Sequence, residues 1–190
     1  MISTHKDLRE YIRADFDSYK MQHPFAARIT FGENWELFAY MKNLRFLEYY
    51  INKPKKYIWD WLFLCLRWLK HRYNCKTTMI HIAPNSIEKG CHLVHRGFRR
   101  IDCFAHVGKG CEILPNVLLG KKKPFLTDCE IFIGNNCYIG TGVTILGPIH
   151  IGNNVTIAAG AVVTKDVADN CTVAGVPAKI VKYSSMQSLL

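Results

Sequence analysis

The sequence predicts a mainly β protein, a parallel β-helix of hexapeptide repeats, with an α-helical N-terminal region. Three observations carry that prediction. Aliphatic residues recur at every sixth position from Ile133 through Ile139, Ile145, Ile151 and Ile157 to Val163. Four positions after each, a smaller side chain follows: Cys137, Val143, Ile149, Val155, Ala161 and Val167. Residues 1–76 show neither pattern and read with helical spacing instead.

A period of six cannot be an amphipathic helix, whose period is 3.6. It is the signature of a solenoid in which each repeat buries its apolar face only by stacking on its neighbours. Three hexads close one triangular coil, so residues 18 apart stack, with coils roughly 4.8 Å apart as in any pair of strands. Gly and Asn cluster between the inward residues, as GNN at 134–136 and 152–154. Those are corners, where a positive φ costs these residues least.

Run backwards, the register takes Leu119, Ile113 and Val107, then Leu93 and Ile87, with two interruptions. An eight-residue unit, Arg99 to His106, replaces six, and Leu119 to Phe132 holds 14 residues where 12 would fit. Insertions in a solenoid project as loops, often on the binding face. Upstream, KDLREYIRADFDSYK and WELFAYMKNLRFLEYYIN read as amphipathic helices, and Pro54 separates them from YIWDWLFLCLRWLKHRY. That last helix has an aromatic apolar face flanked by Lys53, Lys55, Lys56, Arg67, Lys70 and Arg72. It is expected to pack on the β-helix or its sister helices; the alternative is peripheral contact with an anionic membrane. The organisation is therefore 1–76 helical, 77–182 β-helix and 183–190 tail.

The 190 residues are 49% apolar and 21% charged, which excludes a disordered chain. The net charge of +10 is shared evenly between residues 1–75 and residues 76–190. It suits anionic small ligands, an anionic polymer or a membrane surface, and no nucleic-acid motif accompanies it. The start MISTHKDLREYIRADF is too charged for a signal peptide. The apolar run Ile58 to Leu69 is broken by Asp60 and Arg67 and is too short to span a bilayer. The expected location is the cytoplasm, with contact at the inner face of the membrane as a variant. Eight cysteines form no CxxC pair. Cys91, Cys111 and Cys137 fall on small inward positions and are expected to be core fillers rather than metal ligands.

Three segments then acquire meaning together: IAPNSIEKGCHLVHRG, the repeat block from Ile133, and VVTKDVADNCTVAGVPAKIVK. In these the chain resembles the hexapeptide-repeat acyltransferases, in particular the serine acetyltransferase and surface-polysaccharide O-acetyltransferase branch, over roughly residues 80 to 182. The resemblance implies a left-handed β-helix, homotrimers or paired trimers, acetyl-CoA as co-substrate and no metal. It places the catalytic base at His95, with His92 and His106 as neighbours. An imidazole titrating near neutrality suits removal of a proton from an acceptor hydroxyl. It also places the pantetheine arm in a groove between subunits, along small residues. Gly120, Thr141, Gly142 and Ala159 match that track, and Thr164, Lys165 and Lys179 or Lys182 are placed to meet the nucleotide phosphates.

The chain departs from the serine enzymes where they recognise serine. Val94 stands where they have Asp before the base. Cys129 and Glu130 replace an Arg–His pair, and His81 or Ile80 occupies the place of the Asp that orients the base. The acceptor expected from the sequence is therefore a saccharide hydroxyl of a surface or capsular polysaccharide, contacted by Asp128, Glu130 and His106. Arg96, Arg99, Arg100 and Lys121 to Lys123 are candidates to hold an anionic glycan. The alternatives are serine O-acetyl transfer, a non-enzymatic hexapeptide scaffold, and a zinc hydratase reading of His81, His92, His95 and His106, whose spacing does not fit.

Overall fold

A computed structural model describes residues 1–21, 24–30, 32–125 and 127–183. Of the expected tail, residues 184–190 lie outside the described residues. Four helices precede the strands: α1 (His5–Ser18), α2 (Pro24–Ile29), α3 (Glu33–Asn52) and α4 (Ile58–Thr78). The short α2 is an element that no sequence pattern announced. Thr4 caps α1 in a reciprocal box, accepting from the Asp7 amide at 3.1 Å while Asp7 accepts from the Thr4 amide at 2.9 Å.

The strands form three faces of a parallel β-helix. One face has five: β1 (Ile80–Ile82), β3 (Arg99–Ile101), β6 (Val117–Lys121), β9 (Thr144–Gly147) and β12 (Val162–Val163). A second has three: β4 (Ala105–Val107), β7 (Ile131–Ile133) and β10 (Ile149–Ile151). The third has six: β2 (His92–Leu93), β5 (Glu112–Ile113), β8 (Tyr138–Ile139), β11 (Thr156–Ile157), β13 (Cys171–Ala174) and β14 (Lys179–Tyr183), the last antiparallel. Inward residues stack coil on coil as the period requires, with Ile139 on Ile157 and Ile145 on Val163. The aliphatic series from Ile133 to Val163 is buried, as are the smaller residues four positions on. Asn136 and Asn154, at the expected corners, both have φ of 54°.

The inward cysteines are free and buried. Cys91, Cys111 and Cys137 each direct the thiol at a carbonyl of the next coil, Gly108, Gly134 and Gly152, at 3.2–3.3 Å. Gly134 shows how tight these corners are: a Cβ there would meet the Gly152 carbonyl at 2.6 Å.

Both interruptions differ from expectation. Leu119 pairs with Ile145, and β7 lies on the next face after β6, so the step from Leu119 to Ile133 replaces one hexad and not two. Phe125, six positions after Leu119, imitates an inward residue in the sequence, yet it is 100% exposed. The extra residues of the eight-position step fall between Leu93 and Ile101, not within 99–106, because β3 already begins at Arg99. They swell the turn that carries His95.

The helices close the open end of the solenoid. Leu37, Met41 and Leu44 of α3 join its core. Tyr40 donates to the Ile80 carbonyl at 3.1 Å and accepts from the Ile82 amide at 3.2 Å, satisfying the β1 edge. Arg45, fully buried, donates to Asp15 of α1 and to Glu48 one turn along α3, at 2.8 and 2.9 Å. It also reaches the carbonyls of Ile87 and Glu88 on the first coil, each at 2.9 Å. The two acids in turn accept from the amides of Gly90 and Asn85. This satisfied cluster rivets α1 and α3 to the β-helix.

α4 packs on its sister helix α3 and on β1, as expected, but its aliphatic stripe is not the face that does so. Asp60, His71 and Cys75 are its buried residues, and Lys53 grips Asp60 through both carboxylate oxygens at 2.8 Å. Ile58, Leu62, Leu66 and Leu69 lie on the opposite side, 48–81% exposed.

Candidate active site

The site begins at the edge between the six-stranded and five-stranded faces. Elsewhere on this edge the chain turns through small or compact residues, Pro115–Asn116, Thr141–Gly142 and Ala159–Gly160. In the first coil the enlarged turn Val94–Phe98 takes their place. His95 adopts φ of 61° and Gly97 φ of 133°. The left-handed conformation costs a residue with a Cβ about 1–2 kcal/mol, so something must hold His95 there.

Arg99 does so from below. Its side chain is fully buried, and burial pulls its pKa down to about 10. The guanidinium donates to the carbonyls of His95 at 2.8 Å, Gly97 at 3.2 Å and Ile113 at 3.0–3.1 Å, and also to Val94. Arg99 therefore cannot serve as the glycan-binding cation expected from the sequence, because it is fully buried and its guanidinium is engaged by carbonyls of the turn and of Ile113. Arg96 is paired with Glu36, and Arg100 with Asp102 at 3.0 Å.

From above, Glu33 in the first turn of α3 meets the same turn. One carboxylate oxygen accepts the Arg96 amide at 2.8 Å, and the other lies 3.3 Å from His95 Nδ1. The Arg96 amide, ahead of the His95 contact, holds the Glu33 carboxyl below its ordinary pKa despite some burial. His95 itself remains 68% exposed in its side chain.

The edge continues downward as a hydrogen-bonded column. Gly142 donates to the Pro115 carbonyl at 3.0 Å and Gly160 to Thr141 at 2.8 Å. The Thr141 hydroxyl also donates to Pro115, at 2.9 Å. Thr141 and Ala159 are exposed and lie along the same edge as His95. Gly120 lies opposite Leu146, and Thr164 follows the Val163–Ile145 pair, so both border the adjoining five-stranded face. Lys165 is exposed after β12, and Lys179 opens the exposed β14. One continuous surface thus joins the base candidate to the small-residue track.

The acceptor candidates lie elsewhere on the chain. His106 belongs to β4 on the three-stranded face and stacks on Phe132, which stacks on His150, at centroid distances of 4.9 and 5.0 Å. With Glu88, Asn153 and Asp169 these rings line an open cavity of about 430 Å³. Asp128 and Glu130 lie on the long connection between β6 and β7, at a different edge from His95. Cys129, between them, is buried. Within one chain, then, neither the loop nor His106 joins His95. His92 sits outward on β2 with its ring 4.7 Å from Tyr19, and burial lowers its pKa.

Sequence reasoning missed Glu33 and misread Arg99. An acid in the first turn of a helix is ordinary compensation of the helix dipole, so Glu33 carried no distinguishing signal. Chemically, the turn offers an imidazole on a backbone fixed from two sides, at the head of an exposed edge of small residues.

Comparison with known proteins agrees with this architecture. Residues 130–165 match the family model described as bacterial transferase hexapeptide (six repeats). A serine acetyltransferase of Synechococcus elongatus is 39% identical over 111 residues, 58% of this chain and 46% of that protein. The galactoside O-acetyltransferase of Escherichia coli is 36% identical over 91 residues, covering 43% of this chain and 45% of that protein. The chain thus spans less than half the length of either relative. The crystal structure of Brucella abortus serine acetyltransferase in complex with coenzyme A shares the fold, with a TM-score of 0.72 at 23% identity, over 95% of this chain and 70% of that one.

Proposed function

From a hexapeptide-repeat chain akin to the serine acetyltransferases, we propose an acetyl-CoA-dependent O-acetyltransferase with His95 as general base. The observation that carries this reading is the imidazole fixed on a left-handed turn at the head of the Thr141–Ala159 column. The acceptor hydroxyl gives its proton to His95 as its oxygen attacks the thioester carbonyl. The new C–O bond forms, the C–S bond breaks, and the imidazolium returns the proton to the departing thiolate. The developing oxyanion needs fixed hydrogen-bond donors, which contribute most because they need no reorganisation. Lys165 and Lys179 are the proposed phosphate contacts. One chain presents only one wall of such a groove, so a homotrimer is proposed, in which a neighbour's long loop and three-stranded face would bring Asp128, Glu130 and His106 to His95.

Of the acceptors weighed from the sequence, free serine has the better support, because relatives of 39–41% identity are named serine acetyltransferases. The polysaccharide reading draws no specific support from the comparisons. One observation favours a saccharide hydroxyl as the second reading. The arginines at the turn are engaged, by Glu36 or by carbonyls, and the nearby Glu33 is an acid, so the turn offers no free cation for a serine carboxylate. The experiment is calorimetric binding of acetyl-CoA followed by thiol release with L-serine and with a panel of glycosides. Binding plus acceptor-dependent release supports the proposal, and the active acceptor decides between the readings. Neither binding nor release would overturn it.

The outer face of α4 is proposed to rest on an anionic membrane surface. Its exposed Trp59, Trp61 and Trp68 surround the aliphatic stripe, and Lys55, Lys56, Lys70, Arg72 and Lys76 border it. The helix's acid, Asp60, is already neutralised by Lys53, so two such faces would meet as like charges. Among the described residues no helix is long and apolar enough to cross a membrane. Co-sedimentation with phosphatidylglycerol vesicles but not with phosphatidylcholine vesicles is expected, and Leu62→Glu with Leu69→Glu should abolish it. Equal recovery with both vesicles, or with neither, sinks the idea.

A further inference from the structure

We propose that Glu33 is the positioning residue for His95, locking the imidazole in the tautomer that leaves Nε2 free to accept a proton. The inference rests on the reading of His95 as the base. Three features of the turn support it. The Glu33 carboxylate is bidentate across consecutive residues, with one oxygen on the Arg96 amide at 2.8 Å and the other 3.3 Å from His95 Nδ1. The amide contact fixes where the carboxylate sits, whatever the imidazole does.

An ionised carboxylate can only accept hydrogen bonds, so the nitrogen facing it must carry the hydrogen. In the neutral ring the lone pair then lies on Nε2. The assignment does not depend on how the acceptor binds.

The mounting is rigid on both sides. α3 is tied to the first coil by the buried Arg45 cluster, and its next acid, Glu36, pairs with Arg96. Beneath the turn, Arg99 holds the His95 carbonyl at 2.8 Å. As His95 takes a proton, the positive charge forms beside Glu33, which stabilises it in the same contact. Read as a surface ion pair, the contact would add little to stability, since the two side chains are 68% and 41% exposed. Its value would lie in orientation.

Three variants test this. Glu33→Ala should lower kcat about 10-fold or more, as expected for a misoriented base, while KM for acetyl-CoA and the melting temperature stay unchanged. Glu33→Gln should be at least as impaired, because its amide can donate to Nδ1 and favour the wrong tautomer. Glu33→Asp should recover part of the rate. The 15N resonances of His95, assigned by their loss in His95→Gln, should show an Nδ1–H imidazole in the parent and an Nε2–H imidazole in Glu33→Gln. The NMR measurement stands even if no acceptor is turned over, so it separates failure of this inference from failure of the enzymatic reading. An Nε2–H imidazole in the parent overturns the proposal. So does an unchanged kcat in Glu33→Gln, or a rate loss that tracks a loss of thermal stability with the tautomer unaltered.

Discussion

Replacing His95 by alanine is expected to lower acetyl transfer at least about 100-fold, the lower end of what a positioned general base contributes. The effect should fall on kcat. Acetyl-CoA binding should be nearly unchanged, because the small-residue column along Thr141, Gly142 and Ala159 is built by backbone hydrogen bonds that His95 does not make. The fold should also survive, since alanine leaves the Arg99 contacts to the backbone carbonyls in place, though it bears the same cost of the left-handed conformation and loses the Glu33 contact. The measurement is thiol release under saturating acceptor, paired with acetyl-CoA titration calorimetry. A variant that keeps most of its rate would remove His95 from the mechanism and leave the edge column as a binding surface only.

The largest expected effect on stability comes from Arg45. Arg45→Ala should cost about 3–5 kcal/mol, the scale for deleting one partner of a buried charge cluster. It would strand Asp15 and Glu48 in the interior. Burial, the largest influence, already pushes the Glu48 carboxyl above its ordinary pKa with the arginine present. It would also leave the carbonyls of Ile87 and Glu88 without their donor. Chemical denaturation of the whole chain measures the loss, and a change below about 1 kcal/mol would show that the cluster contributes no more than a surface pair. Activity should fall with it, because the same cluster holds the helix that delivers Glu33. Glu33→Ala, by contrast, should cost activity without stability, and the two variants together separate docking of α3 from orientation of the imidazole.

Much of the scaffold was legible in the linear chain. A six-residue repeat of buried aliphatics, the small inward partners and the GNN corners are local patterns, and each coil repeats the environment of the last. Cys91, Cys111 and Cys137 could be assigned to the core by register alone, since register determines which side chains face inward. The same logic failed at the interruptions. Phe125 fell in register by spacing and lies wholly in solvent, because periodicity cannot tell a buried apolar residue from an apolar residue on a loop. Arg99 failed for a related reason: an arginine looks like a surface charge until a ring of carbonyls is found around its guanidinium.

By itself, then, the sequence determined the coil and its corners, because hexad stacking is a short-range repeat that any one strand reports, and it pointed to His95 only through resemblance to a family. Only the tertiary structure decided what surrounds His95. Glu33 reaches it across 62 positions of sequence, from a helix whose docking depends on Arg45, Asp15 and Glu48 meeting inside the first coil. Such a contact arises from two surfaces fitting together, and a fit of that kind leaves no period in the chain to read.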